Sequence, residues 1–313
     1  MTQQYLRKAS LLIGTGSEAL DLSEMQFVFQ TEARTIHTPC SVQLRIYNLS
    51  SRKGNSTAQK IAKEGVDIQL SAGYEGNFGP IFQGQIVQVR LGRENATDTY
   101  VDITGVDGDA YYNFNVTNVS VAAGTTVIGR IGAIAKAAGM KLGTIKIPND
   151  GSKLHRGRTY FGLARDHLDG LCGTIGADWN IHNGELEVIS RSAYKDGDIP
   201  TLTAATGMIG VPEQTLEGIA IRVLLNPNLE QNMAVRIDNA SIQQFQYPFD
   251  YKGVAGIGFI PPVSNDGLYK VLYVSHNGDT RGQNWYTDLV CYEGPKITNV
   301  ETQGIYQVPK IPY

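Results

Sequence analysis

Three histidines, His155, His167 and His182, share one stretch of the chain with Cys172, Asp166 and Asp169. These residue types could bind a metal ion or activate a thiol. The spacing argues against both. Zinc ribbons and fingers draw ligands at short fixed intervals, and HExxH sets two histidines one helical turn apart. Neither pattern occurs here. No metal site and no cofactor are expected. A Cys172–His167 dyad would need both side chains on one helical face, and an offset of five residues does not bring them together. His167 falls on an apolar helical face, where a hydrogen-bonded core histidine is the commoner outcome.

Paired carboxylates could cut a glycosidic bond by acid–base chemistry. Asp166 with Asp169, or Glu185 with Glu187, are the candidates. Strand rise alone puts Glu185 and Glu187 ~7 Å apart on one face. Solvated strands carry such pairs routinely, so no catalytic residues are expected. Gly170, Gly173 and Gly176 lie in or after a helix and not after a strand, which is wrong for a phosphate-binding turn. Neither GxSxG nor GKS/GKT occurs. Tyr111, Tyr112 and Phe114 could form an aromatic platform for a sugar.

These candidates need elements to hold them. Most belong to a stretch from about 111 to 200 that reads as a small α/β module. Val127, Ile128, Ile131, Ile134, Ala135 and Ala138 form one helical face, with Thr125 or Thr126 as cap and Gly139 as stop. A second helix is expected from Tyr160 to Gly176. Asn183-Gly184 between Trp179–His182 and Glu185–Ile189 signals a hairpin, because a type I′ turn needs positive φ at both central residues.

The flanking stretches are strands. Val42 to Ile46 and Val66 to Leu70 alternate apolar and polar residues, as half-wet strands do. A short helix is expected over 56–64. Gly218 to Leu225 and Val235 to Asp238 alternate again, and 243–262 reads as a loop. Leu268 to Gly294 reads as a hairpin with a connector at Asn277–Gly282. It echoes Ile86 to Gly108: Tyr100 matches Tyr286, Asp102 matches Asp288 and Gly108 matches Gly294. Arg45 and Arg222 fall at comparable places before the two hairpins. The expected architecture is mainly β with an α/β insert: two similar antiparallel β-barrel domains at 1–110 and 201–294, a module at 111–200, and an extended tail at 295–313.

Composition agrees with a strand-and-turn protein. Charged residues are 18% and glycines number 35, a balance that disfavours a helical bundle. A net charge of −3 argues against a dedicated nucleic-acid binder. Cys40, Cys172 and Cys291 are odd in number and widely spaced, so free thiols are expected. The apolar run Leu11–Ile13 is too short for a signal-peptide core, and no apolar stretch reaches membrane-spanning length.

One set of motifs carries a family likeness. Gly210-Val211-Pro212-Glu213-Gln214-Thr215, Gly218, Arg222 to Asn226-Pro227, Gly267-Leu268-Tyr269, Gly278-Asp279-Thr280-Arg281-Gly282 and Trp285-Tyr286 occur in an order that resembles baseplate hub proteins of contractile-tailed bacteriophages. The likeness is strong over 207–294 and weaker over 26–108. It implies a homotrimer in the virion tail baseplate, made in the host cytoplasm. The ring would join the sixfold tail tube, or a tube-initiator protein, to a threefold central spike. Contact with a tape-measure protein and transient passage of DNA are also implied. Two other readings stay open: a tail-associated peptidoglycan hydrolase and a carbohydrate-binding tail module. After Gly294 the chain has prolines and no periodicity, so Ile297, Val300, Ile305, Tyr306, Ile311 and Tyr313 are expected to dock on a neighbour.

Overall fold

Alternation along Ser41–Tyr47 becomes a strand with Val42, Leu44 and Ile46 buried and Gln43 exposed. The same rule builds most of the molecule. The computed structural model describes residues 5–14, 19–36, 38–49, 64–147, 152–215, 217–244, 263–264 and 266–293. Nearly all of the expected helix at 56–64 and of the loop at 243–262, and the tail at 295–313, lie outside them.

The first stretch holds β1 (Arg7–Ile13), β2 (Leu20–Asp21), β3 (Phe27–Arg34), β4 (Ser41–Tyr47), β5 (Asp67–Tyr74), β6 (Asn77–Arg93) and β7 (Thr99–Val106). The middle holds α1 (Asp109–Asn113), β8 (Val116–Val121), α2 (Val127–Ala137), β9 (Lys141–Lys146), β10 (Arg158–Leu163), α3 (Ala164–Ile175), β11 (Ala177–His182) and β12 (Glu185–Ser190). The last holds β13 (Thr201–Leu202), β14 (Met208–Thr215), β15 (Gly218–Leu224), β16 (Ala234–Ile237), β17 (Leu268–Asp279) and β18 (Trp285–Glu293).

Two β units repeat one plan. In the first, the pairings are β3 with β4, β4 with β7, β7 with β6, β6 with β5, and β5 with β1. In the second they are β14 with β15, β15 with β18, β18 with β17, β17 with β16, and β16 with β13. Chain order and spatial order match strand for strand. Even the bulge repeats. The β6–β7 register slips between Ile86 and Gln88, and the β17–β18 register slips between Val271 and Tyr273, at matching partners. A bulge re-aims a strand and strengthens its twist, so its repetition marks one curled design used twice. One pairing differs in sense: β1–β5 is antiparallel and β13–β16 is parallel.

The units do not form separate sheets. β17 pairs with β3 from Tyr273↔Arg34 to Asp279↔Val28, which merges both into one 13-stranded sheet. Beneath it lie distinct cores. One gathers Phe27, Phe29, Ile46, Leu70 and Ile103; another gathers Ile221, Val235, Tyr269, Val271 and Leu289. The module has its own core around Ile131, Leu168, Trp179 and Val188.

Three local expectations are corrected. The helix expected from Tyr160 starts only at Ala164, because Arg158–Leu163 pairs with β8 and Gly162 sits at φ 136. The connector expected at Asn277–Gly282 begins later, since β17 runs on to Asp279. Gly278 stays in the strand because it pairs with both Phe29 and Trp285, and it is glycine because a Cβ there would run into the Phe29 ring. The block Met208–Thr215, read only as a motif, is a strand. Other elements fall where expected. Thr126 caps α2 by accepting a bond from the Gly129 N–H, and Asn183 and Gly184 both adopt positive φ.

Candidate interaction face and buried junction

Side chains on the open side of the merged sheet repeat as the strands do. Arg45 on β4 lies opposite Asp102 on β7, and its Nε and Nη2 donate to the carboxylate at 2.7 and 3.1 Å. Its guanidinium stacks 4.1 Å from the Tyr100 ring centre. Arg222 on β15 lies opposite Asp288 on β18, donates from Nε and Nη2 at 2.6 and 3.2 Å, and stacks 4.1 Å from the Tyr286 ring centre. A planar guanidinium satisfies both contacts at once, which lysine could not. The neighbouring carboxylate raises the pKa of both arginines, so they remain charged.

Between the triads runs a row of uncharged polar residues. Register places Tyr286, Asn277, Gln30, Gln43, Thr104 and Gln88 side by side across six strands. They line an open depression of about 530 Å³ together with Arg45, Arg90 and Asp102. Most charges on this face are neutralised locally: Arg34 pairs with Glu32, Arg45 with Asp102 and Arg222 with Asp288. Such a surface is hydrated yet offers few fixed charges to a polyanion.

The motif residues stitch the two units together. Asn226 accepts a bond from the Asn77 amide, and Pro227 packs beside Gly79. The Thr280 hydroxyl accepts from the Phe27 N–H, and Asp279 accepts from the Arg281 N–H. Arg7 reaches across to the Gly282 and Gln283 carbonyls. Trp285 donates to the Gly73 carbonyl and meets Phe29 edge-on. At Gly218 (φ 140) and Gly282, a Cβ would collide with Cys291 and Asp279 respectively. Gly210 sits at φ 78, Pro212 is buried, and Glu213 bridges to Gln243. The tail residues Ile297 to Tyr313 lie outside the described residues.

Sequence reasoning missed a charged junction where the module meets both units. Lys195 lies 2.7 Å from Glu187 and 2.8 Å from Glu230, and His182 lies 3.7 Å from Glu230. Burial opposes charge on His182, but the Cys40 sulfur and the Glu230 carboxylate outweigh it and raise its pKa. Burial also works against the Glu230 carboxylate, yet His182 and Lys195 hold it down at about 2. Asp107, accepting from the Gly184 N–H, is pushed by burial up to about 6. His276 bonds Thr287, and burial lowers its pKa to about 4. Lys270 donates to the Ser190 carbonyl and is pushed by burial down to about 8. These residues lie far apart in sequence, so no spacing rule could have gathered them.

The earlier chemical candidates are dispersed. His167 packs edge-on against Tyr160, and Cys172 is buried. Glu185 pairs with Lys141 while Glu187 turns to Lys195, so the two carboxylates do not share a site. Asp166 sits beside Arg165, and Asp169 accepts from the Trp179 indole N–H at 2.6 Å. Tyr112 is stacked on Trp179 in the core and leaves Tyr111 and Phe114 without a shared platform. Among the described residues no three His, Cys, Asp or Glu side chains converge as metal ligands, and no helix is long and apolar enough to cross a membrane.

The fold is similar to that of solved phage tail proteins. The chain superposes on a tail protein from Neisseria meningitidis MC58 with a TM-score of 0.59 at 11% identity, covering 92% of this chain and 97% of that one. For the 43 kDa tail protein of prophage MuSo2 from Shewanella oneidensis the TM-score is 0.58 at 10% identity, with 92% and 98% covered. A type VI secretion system component of E. coli, described as structurally similar to the bacteriophage T4 tail proteins gp27 and gp5, gives 0.55 at 10% identity, covering 86% and 74%. No protein-family model and no curated protein sequence matches the chain.

Proposed function

We propose that this chain is the structural hub of a phage-type tail baseplate and works without catalysis. Three copies, each with two like β units, would form a ring of six near-equivalent surfaces. A sixfold tube or tube-initiator protein fits such a ring on one side, and a threefold spike fits it on the other. The observation that carries the reading is the repetition of five strand pairings and one Arg–Asp–Tyr triad within a single chain.

On this reading the domains are 1–110, 111–200 and 201–294, with 295–313 as a contact arm between copies. The module has no second copy and would stand to one side of the ring. The polar row would face the channel, letting DNA pass without strong grip. A tape-measure protein could end in the same channel.

The test is the mass of the full chain in solution, alone and mixed with its tail neighbours, followed by imaging of the particle. A threefold ring with six similar lobes is expected. A chain that stays monomeric under all these conditions would rule the reading out.

A further inference from the structure

The two units show, by internal comparison, which edges one chain leaves open. Along one edge of β17, β16 takes Leu268–Lys270 and β3 takes Tyr273–Asp279. Along the matching edge of β6, β5 takes Asn77–Gln85. Beyond Ile86, which still bonds Val66, no described strand fills the place that β3 fills on β17. The side chains report the gap. Leu91 is the counterpart of His276, since Leu91 faces Val101 as His276 faces Thr287. His276 is 5% exposed under β3, whereas Leu91 is 62% exposed.

The complementary strand is β14, the counterpart of β3. Val28 lies opposite Arg45, and Ile209 lies opposite Arg222. One edge of β3 is covered by β17, but on the same edge of β14 the described contacts are Thr203, which accepts from the Met208 N–H, and Gln243, which bonds Pro212 and Gln214. Ile209–Val211 remains open among the described residues, with Ile209 43% and Val211 55% exposed. An uncovered edge with apolar side chains invites another strand. Charge does not oppose the joint: Arg90, Arg93 and Glu94 line the β6 end, and Ile209–Val211 carries none.

We propose that β14 of a second copy docks along the open half of β6, repeating between chains the β17–β3 joint made within one chain. The joint is head-to-tail, so its repetition gives a ring where the rotation closes, as the proposed trimer requires. The inference rests on the ring reading only for the number of copies. Equivalence with Asp279↔Val28 sets Glu94 of one copy beside Ile209 of the next.

The experiment uses the full chain with Glu94→Cys and Ile209→Cys together, under mild oxidation. Both positions are exposed, and the native Cys40, Cys172 and Cys291 are buried. Facing positions on paired strands bring Cβ atoms within disulfide reach. The double variant should cross-link between chains, and neither single variant should. Leu91→Asp, at an exposed site, should weaken association by roughly tenfold or more while leaving the thermal unfolding of the separated chain unchanged. Oligomers that form normally in Leu91→Asp and never cross-link would overturn the edge assignment and leave the ring standing. A chain that never associates would overturn both.

Discussion

Arg222 holds Asp288 as Arg45 holds Asp102: the same two nitrogens donate to a carboxylate directly across the ladder, and each guanidinium lies over a tyrosine two residues earlier on that strand. Equal geometry predicts equal energetics. The side chains are partly exposed, at 50% and 31% in one pair and 38% and 27% in the other, so each pair contributes about 1 kcal/mol or less. Double-mutant cycles by urea unfolding, with Arg→Met and Asp→Asn in each unit, should give matching small couplings. Couplings that differ several-fold would show that the two environments are not equivalent.

The junction behind the face behaves differently because it is buried. Lys195 is 13% exposed and serves both Glu187 and Glu230. Lys195→Met leaves the buried Glu187 carboxylate without a cation beside a Glu230 that keeps only His182, and a cost of about 3–5 kcal/mol is expected. Lys195→Arg should recover part of that loss. Chemical denaturation at pH 7 measures both.

His276 makes acid sensitivity predictable. Its pKa falls from 6.5 to about 4 because burial disfavours the charged ring. Between those values the unfolded chain binds a proton that the native chain refuses, so stability drops as pH falls from 6.5 towards 4. The full effect is about 3 kcal/mol. Urea midpoints at pH 7, 5.5 and 4.5 should decline in the wild type and decline less in His276→Gln. Parallel curves for the two proteins would refute the assignment.

Lys270 gives a signal at the alkaline end. Burial lowers its pKa from 10.5 to about 8. Below about 8 it is charged in both states, and the native state carries the burial penalty. As pH rises to 10.5 the native state sheds the proton first, and the penalty disappears. Lys270→Met should therefore be more stable relative to wild type at pH 7 than at pH 10.5. The difference between the two proteins is the quantity to follow, because thiols and phenols also titrate in that range. A constant difference would mean that the Ser190 contact dominates.

Catalysis on cell walls offers a direct negative control. Glu185 is paired to Lys141 and Glu187 to Lys195, so these two carboxylates are not placed together for acid–base work. Purified chain should leave a peptidoglycan suspension turbid, and Glu185→Gln and Asp166→Asn should change nothing. Clearing by the wild type that is lost in either variant would overturn the structural role.

The sequence by itself determined the strands that alternate, such as Val42–Ile46 and Gly218–Leu224, because one wet face and one buried face leave a period of two. It determined the helix, with its cap narrowed to Thr125 or Thr126, and the turn at Asn183-Gly184, since caps and positive φ depend on local chemistry. It also carried the echo of Tyr100 and Asp102 in Tyr286 and Asp288, because two copies of one strand need the same residues at the same register. Tertiary structure decided the rest. Gly278 reads as a turn residue but stays in a strand, because β3 and β18 pair with it on both sides and the Phe29 ring leaves no room for a Cβ. The segment from Tyr160 is apolar enough for a helix, yet pairing with β8 claims it up to Leu163. The junction of His182, Lys195, Glu187 and Glu230 unites residues whose burial comes only when three cores meet, and pairwise electrostatics depend on that burial rather than on spacing. The joint between β17 and β3 is of the same kind: a ladder between strands some 240 residues apart follows from which edge lies open once each unit has folded.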